Sequence, residues 1–229
     1  MGKDGTLHLL YTCPFCWKVR GLIRYLKLDV SYHGINGLRA KKELKFVDDW
    51  NKVPVFTDNQ GKHHVDSTPI MKHLDKTHNG SKLFSENQEH QQKWLEWCDT
   101  KLSKATIPIL YGGFFSALST TRRVAKEEKF GFISRKAYAW LGFPIMWGFI
   151  ARSRVKKDGR KPQQLWHDLL DEFTNEFGEK TFFGGSTPDL VDFAAFGYMR
   201  SISPFKQFSL LTNHEKGMAW YHEMMALIS

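Results

Sequence analysis

Cysteine is scarce, with three residues in 229, and an odd count of three cannot close the disulfide framework of a small secreted domain. A soluble chain in a reducing cytoplasm is the expectation. No apolar run reaches the roughly 20 residues a membrane-spanning helix needs. The nearest candidate, Ala137 to Ile150, is broken by Gly142, Pro144 and Gly148. Its length predicts a buried core helix. Its basic flanks, Arg135-Lys136 and Arg152-Ser153-Arg154, leave open a helix lying on a membrane surface. A strand-like run, Leu7 to Tyr11, starts too early for a cleavable signal to precede it. Internal repeats and low-complexity tracts are missing. So is any nucleic-acid motif. The formal charge of +9 favours anionic partners, yet the clusters Arg39 to Lys42 and Arg152 to Lys161 carry no interleaved stacking aromatics. A solvated basic face is the simpler reading.

Apolar material is plentiful. Hydrophobic residues make up 41 % of the chain, and 18 Phe and 8 Trp supply bulk for a sizeable core. The first eighty residues alternate short strands and helices. Leu7–Tyr11 reads as a strand, and Pro14–Lys27 as a helix with Val19, Leu22, Ile23 and Leu26 at helical spacing. Val30–His33 follows as a strand and Arg39–Phe46 as a weaker helix. Val55–Thr57 and His63–Val65 flank the turn residues Asp58-Asn59-Gln60-Gly61, predicting a hairpin. Ser67–His78 reads as a third helix with Ser67 as its N-cap. Polar, turn-forming residues occupy 79–84, and everything from 85 to 229 reads helical. Leu95, Cys98, Leu102 and Ala105 form one stripe, Leu165, Leu169, Phe173 and Phe177 another, and Trp220, Met224 and Leu227 a third. The predicted architecture is a thioredoxin-like α/β domain over 1–78, a linker over 79–84 and an all-helical domain over 85–229.

Chemistry concentrates at Cys13-Pro14-Phe15-Cys16, between the first strand and the first helix. Pro14 suits the first helical position, where a missing N–H is no loss. Cys13 then becomes the N-cap, its sulfur facing unpaired N–H groups and the positive end of the helix dipole. Such a setting favours the thiolate, the reactive form, and Lys18 and Arg20 are expected to add positive potential. Cys16, one turn inside, is placed to resolve a mixed disulfide. A zinc reading needs four ligands, and only Cys98 and scattered histidines remain. His63-His64 and His73 to His78 show no metal-type spacing and read as surface residues, so no metal is expected. Two further segments follow in order. Val53-Pro54 suggests a cis bond presenting the Val53 backbone to a ligand, although Pro54 could simply start a strand. Asp66-Ser67 opens a helix whose first N–H groups suit a carboxylate, although Ser67 could be a plain cap.

Cys13-Pro-Phe-Cys16, Val53-Pro54 and Asp66-Ser67 ahead of a helical domain resemble the glutathione transferase superfamily. Within it, the similarity is closest to the membrane-associated prostaglandin E synthase type 2 group, and it extends through Lys129-Phe130-Gly131 and Phe183-Gly184-Gly185 to Met199. The resemblance implies glutathione along the first domain, its cysteinyl part by Cys13 and Phe15, its backbone on Val53 next to Pro54, its γ-glutamyl end at Asp66 and Ser67. It also implies an N-capping box, here Asp189-Leu190-Val191-Asp192. That group carries a tyrosine three residues before its first cysteine, where this chain has Leu10, and Tyr11 should face away. Neither the long insertion nor the membrane leader of its animal members is expected for this chain, which argues against prostaglandin activity and membrane attachment and leaves glutathione binding as the expectation. The group is linked to haem bound with glutathione, but no residue marks a dedicated haem ligand.

The function expected is a glutathione-dependent thiol transferase or oxidoreductase using Cys13 and Cys16. Its partner is a small electrophile or a disulfide substrate, with a homodimer as one possible assembly. An apolar pocket is expected from Tyr111, Phe114, Phe115 and Trp140. The alternatives are a haem-associated, prostaglandin-synthase-like isomerase and a non-enzymatic interaction protein.

Overall fold

A computed structural model describes residues 2–48, 50–84, 88–128, 138 and 144–229. Strands β1 (Gly5–Leu9), β2 (Val30–Gly34), β3 (Val55–Asp58) and β4 (His63–Val65) form one sheet in the order β2-β1-β3-β4. The β1–β2 pair is parallel, joined through helix α1 (Pro14–Tyr25), and the other two pairs are antiparallel. The hairpin turns because the Asp58 Oδ1 accepts from the N–H groups of Gln60 (3.0 Å) and Lys62 (2.9 Å), while Gly61 takes a left-handed φ of 82°.

The second predicted helix is much shorter than 39–46. A 3₁₀ turn, Gly37–Arg39, leads into a single turn, α2 (Ala40–Glu43). Leu44 alone is fully buried there, so no apolar stripe sustains a longer helix. Helix α3 spans Ser67–Asn79, and its N-cap is Asp66, not Ser67: the Asp66 carboxylate accepts from the Ser67 N–H at 2.6 Å.

Beyond residue 88 the described chain is helical. α4 (Gln88–Trp97), a stretch of π-helix (Cys98–Leu102) and α5 (Ser103–Tyr111) run on with helical backbone at both joins. Then come α6 (Phe114–Glu127), a second π-helical stretch (Pro144–Ala151), α7 (Arg152–Asp158), α8 (Pro162–Phe177), α9 (Leu190–Ile202) and α10 (Glu215–Leu227). The stripes of α4–α5 and α8 are buried as expected. Leu227 is not. It is 40 % exposed, while Trp220 and Met224 hold α10 to the core. The predicted core helix also fails over its described part, since Ile145 is half exposed and Phe149 is 75 % exposed. No described helix is long and apolar enough to cross a membrane.

Helix α9 lies through the middle and is fastened at its start by reciprocal caps. Asp189 accepts from the N–H groups of Val191 and Asp192, and Asp192 accepts from that of Asp189. Asp192 takes three more hydrogen bonds, from the Phe183 and Gly184 N–H groups and the Trp220 indole. α1 packs directly on α9. The contact is so close at Gly197 that an added Cβ would stand 2.5 Å from the Lys18 Cγ and 2.8 Å from the Pro14 carbonyl oxygen. The helix that begins at the cysteine turn is therefore seated on the helical domain, and the two apolar interiors merge into one core.

Candidate functional site

Cys13 is the N-cap of α1, with extended backbone (φ −71°, ψ 126°), and Pro14 begins the helix. Its N–H donates to the Leu10 carbonyl at 3.2 Å and its carbonyl accepts from Trp17 at 3.0 Å. The two cysteines of the turn differ sharply. Cys13 is half-buried and Cys16 fully buried. A hydrogen bond from the Cys16 thiol is the main influence holding the Cys13 thiol below its ordinary pKa. Burial opposes it, the Cys16 and Phe15 N–H groups assist, and the nearby Glu128 carboxylate opposes. Burial, with that same hydrogen bond donated outward, pushes Cys16 well above the usual range. Cys13 is thus the thiol available as thiolate.

Lys18 and Arg20 do not supply the positive potential expected of them. Lys18 is fully buried and its ammonium is paired with Asp99, on the π-helical stretch, which also accepts from the Tyr198 hydroxyl at 2.9 Å. The Arg20 guanidinium lies 3.6 Å over the Trp17 ring and donates to the Tyr11 carbonyl. Both charges serve the packing of α1.

Glu128, immediately after α6, is a site residue that sequence reasoning missed. Its carboxylate accepts from the N–H groups of Tyr11 and Thr12, each at 2.7 Å, and from the Thr12 hydroxyl. Burial raises its pKa against those hydrogen bonds. Nothing in the local Lys-Glu-Glu-Lys run marks it, because the partners lie 116 and 117 residues away.

Cys13 opens on an apolar cavity of about 420 Å³ whose walls include Leu10, Phe15, Tyr111, Glu128 and Tyr138. Leu10, just past the end of β1, faces this space, while Tyr11 turns toward Arg20. Tyr111 lines the cavity and its hydroxyl is bonded to that of Tyr138. Phe114 and Phe115 do not line it; they project outward, Phe115 82 % exposed. Trp140 and Lys129-Phe130-Gly131 lie outside the described residues. The described walls hold no histidine or methionine; the residue types there that can ligate a haem iron are Cys13, Tyr111 and Tyr138.

A second hollow of about 300 Å³ shares Leu10, Phe15 and Gly37 with the first and continues to Lys52 and Val53. The Val53–Pro54 bond is cis. Val55 pairs with Val65, so two residues further Val53 and Ser67 leave the hairpin at the same end. Ser67 is fully buried, and its hydroxyl has no hydrogen-bond partner among the described residues. Asp66 is exposed, with a left-handed φ of 67°.

Two histidines correct a sequence expectation, while His63 and His78 are exposed as expected. His64 and His73 are half-buried, their rings stacked at 3.7 Å, and the His64 Nε2 lies 2.9 Å from the Asp58 Oδ2. These are not scattered surface residues.

Residues 7–82 match the family model described as glutathione S-transferase, N-terminal domain. The chain is 26 % identical to prostaglandin E synthase 2 of Danio rerio, over 96 % of this chain and 70 % of that one. Among solved structures, a glutathione transferase of Phanerochaete chrysosporium superposes with a TM-score of 0.72 at 14 % identity, covering 100 % of this chain and 98 % of that one. A glutathione S-transferase I bound with lactoylglutathione superposes at 0.68, with 13 % identity and coverage of 98 % and 96 %. The fold is that of the glutathione transferases: a thioredoxin-like domain with a four-stranded mixed sheet, followed by a helical domain.

Proposed function

We propose that this chain binds glutathione in the groove running from Cys13 past Val53 to Asp66 and Ser67, and that it carries out thiol transfer through Cys13. The observation that carries the reading is the opposed state of the two thiols. A thiol favoured as thiolate sits at a helix start on an open cavity, and a second, held protonated, lies buried behind it. A protein using this fold only as a binding surface has no need of that difference. The relatives supply the ligand class: the matched family is named for glutathione, and one superposed structure holds a glutathione conjugate.

In the reaction, the Cys13 thiolate attacks one sulfur of a disulfide. A new S–S bond joins Cys13 to that sulfur, and the other sulfur leaves as a thiolate that takes a proton from water. Reduced glutathione, as its thiolate, then attacks the mixed disulfide and restores the Cys13 thiolate. Cys16 can serve in its place: it gives up its proton and attacks the Cys13 sulfur, the bound sulfur leaves as a thiolate, and two glutathione molecules then reduce the Cys13–Cys16 disulfide and leave as oxidised glutathione. A transferase reaction on an apolar electrophile is the second reading, favoured by the apolar walls around Cys13. In either case the Ser67 hydroxyl and the first N–H groups of α3 receive the γ-glutamyl carboxylate. The Asp66 side chain must then leave the Ser67 N–H, which frees it for the ligand's amino group.

Calorimetric titration with reduced glutathione tests the groove. Ser67→Ala and Asp66→Ala should each weaken binding about tenfold, the effect of losing one charge-assisted hydrogen bond. Unchanged affinity in both would reject the γ-glutamyl site.

A further inference from the structure

We propose that Asp58, His64 and His73 form a binding site for a divalent first-row transition ion of the Zn²⁺ type, on the outer hairpin of the sheet. Three elements converge there. Asp58 ends β3, His64 lies in β4 opposite Phe56, and His73 comes from α3, which packs over the same face near Phe56. Residues 56 and 58 share a face of their strand, which places the Asp58 carboxylate beside the two rings. One ligand atom from each of the three residues falls within 4.8 Å of the others.

The chemistry of the set suits such an ion. Two imidazoles and a carboxylate leave a fourth tetrahedral position for water. Neighbouring ligands of a tetrahedral ion at 2.0–2.2 Å stand roughly 3.3 Å apart, and the His64 Nε2 and Asp58 Oδ2 are already at 2.9 Å. The carboxylate is held from behind: its Oδ1 is engaged by the Gln60 and Lys62 N–H groups, which leaves Oδ2 to the histidines. Fixing of a ligand by outer hydrogen bonds is how metal sites are oriented.

The test uses the full chain carrying Cys13→Ser and Cys16→Ser, so that the thiols of the cysteine turn do not compete. Zn²⁺ titrated calorimetrically should bind with a stoichiometry of one and raise the thermal midpoint. His73→Asn and Asp58→Asn in that background should each lower the affinity at least tenfold, with circular dichroism confirming that the variants remain folded. Co²⁺ should give visible bands without thiolate charge transfer. No zinc binding, equal affinity after His73→Asn, or a cobalt–thiolate band placing the ion on Cys98 would each overturn the site.

Discussion

Glu128 holds Thr12 at both its N–H and its hydroxyl, one residue before the reactive cysteine. The hold crosses from the end of α6 to the loop leaving β1, so the position of Cys13 depends on the helical domain as well as on its own helix. The same carboxylate works against the Cys13 thiolate by like charge. Positioning and activation are therefore in opposition at this residue.

Separate variants should divide the two effects. Glu128→Gln removes the charge and keeps an acceptor, so the Cys13 thiol pKa should fall further. The inflection of iodoacetamide alkylation against pH should move to lower pH than in the parent. Glu128→Ala leaves the Tyr11 and Thr12 N–H groups without their acceptor, at about 1–3 kcal/mol for each group left unpaired, and its thermal midpoint should drop. An inflection moving upward in Glu128→Gln would contradict this arrangement.

The two thiols predict an ordered series. Cys13→Ser should abolish turnover with a glutathione-mixed disulfide, while Cys16→Ser should keep much of it, because glutathione can resolve the intermediate. The donor at position 16 matters separately. Its hydrogen bond is the largest influence lowering the Cys13 pKa, and a serine hydroxyl can still donate whereas alanine cannot. Cys16→Ala should raise the alkylation inflection toward that of a free thiol at about 8.5. Cys16→Ser, whose hydroxyl is a stronger donor than a thiol, should stay at or below the parent's inflection. Identical inflections in Cys16→Ala and the parent would remove the hydrogen bond from the account.

Periodicity and turn residues made most of the fold legible. The strand-helix alternation, the hairpin at Asp58–Gly61 and the stripes through Leu102 and Phe173 all depend on neighbours close in sequence. So does the cysteine turn, since N-capping by Cys13 is decided within four residues. What stayed hidden depends on long-range approach. Glu128 meets Thr12 from 116 residues away, Lys18 is neutralised by Asp99, and His73 reaches His64 only once α3 folds over the hairpin. Asp66 replaced Ser67 as the N-cap for a subtler reason. Both residue types cap well, and the choice turned on a left-handed backbone at Asp66 that sequence does not display.

The cap of α9 predicts unequal costs for two aspartates. Asp192→Ala would leave the Phe183, Gly184 and Asp189 N–H groups and the Trp220 indole without their common acceptor in a buried setting. The loss should reach about 3 kcal/mol or more. Asp189→Ala removes an N-cap, worth about 1 kcal/mol, together with its hydrogen bond from Gln91. Thermal unfolding should rank Asp192→Ala well below Asp189→Ala, and the reverse order would contradict the network described.

The buried ion pair between Lys18 and Asp99 gives the sharpest asymmetry. Lys18 has no exposed surface, whereas about a third of the Asp99 side chain is open to solvent (32 %). Removing the carboxylate strands an ammonium in the interior, a loss of about 3–5 kcal/mol, and leaves the Tyr198 hydroxyl without its acceptor. Removing the lysine is different, because Asp99 keeps the Tyr198 hydrogen bond and can be hydrated from outside. Lys18→Met retains much of the side-chain volume beside Gly197, where a shorter residue would leave a gap. Asp99→Ala should therefore lower the thermal midpoint by roughly 6–20 °C, at about 2–4 °C per kcal/mol for a chain of this size. Lys18→Met should lower it by less than half as much. Because this pair ties α1 to the π-helical stretch, and through the Tyr198 hydroxyl to α9, Asp99→Ala should also broaden the pH dependence of Cys13 alkylation, and Lys18→Met should leave it near that of the parent. If the two variants lose equal stability, the pair is no more than a solvated contact and does not hold α1 to the helical domain.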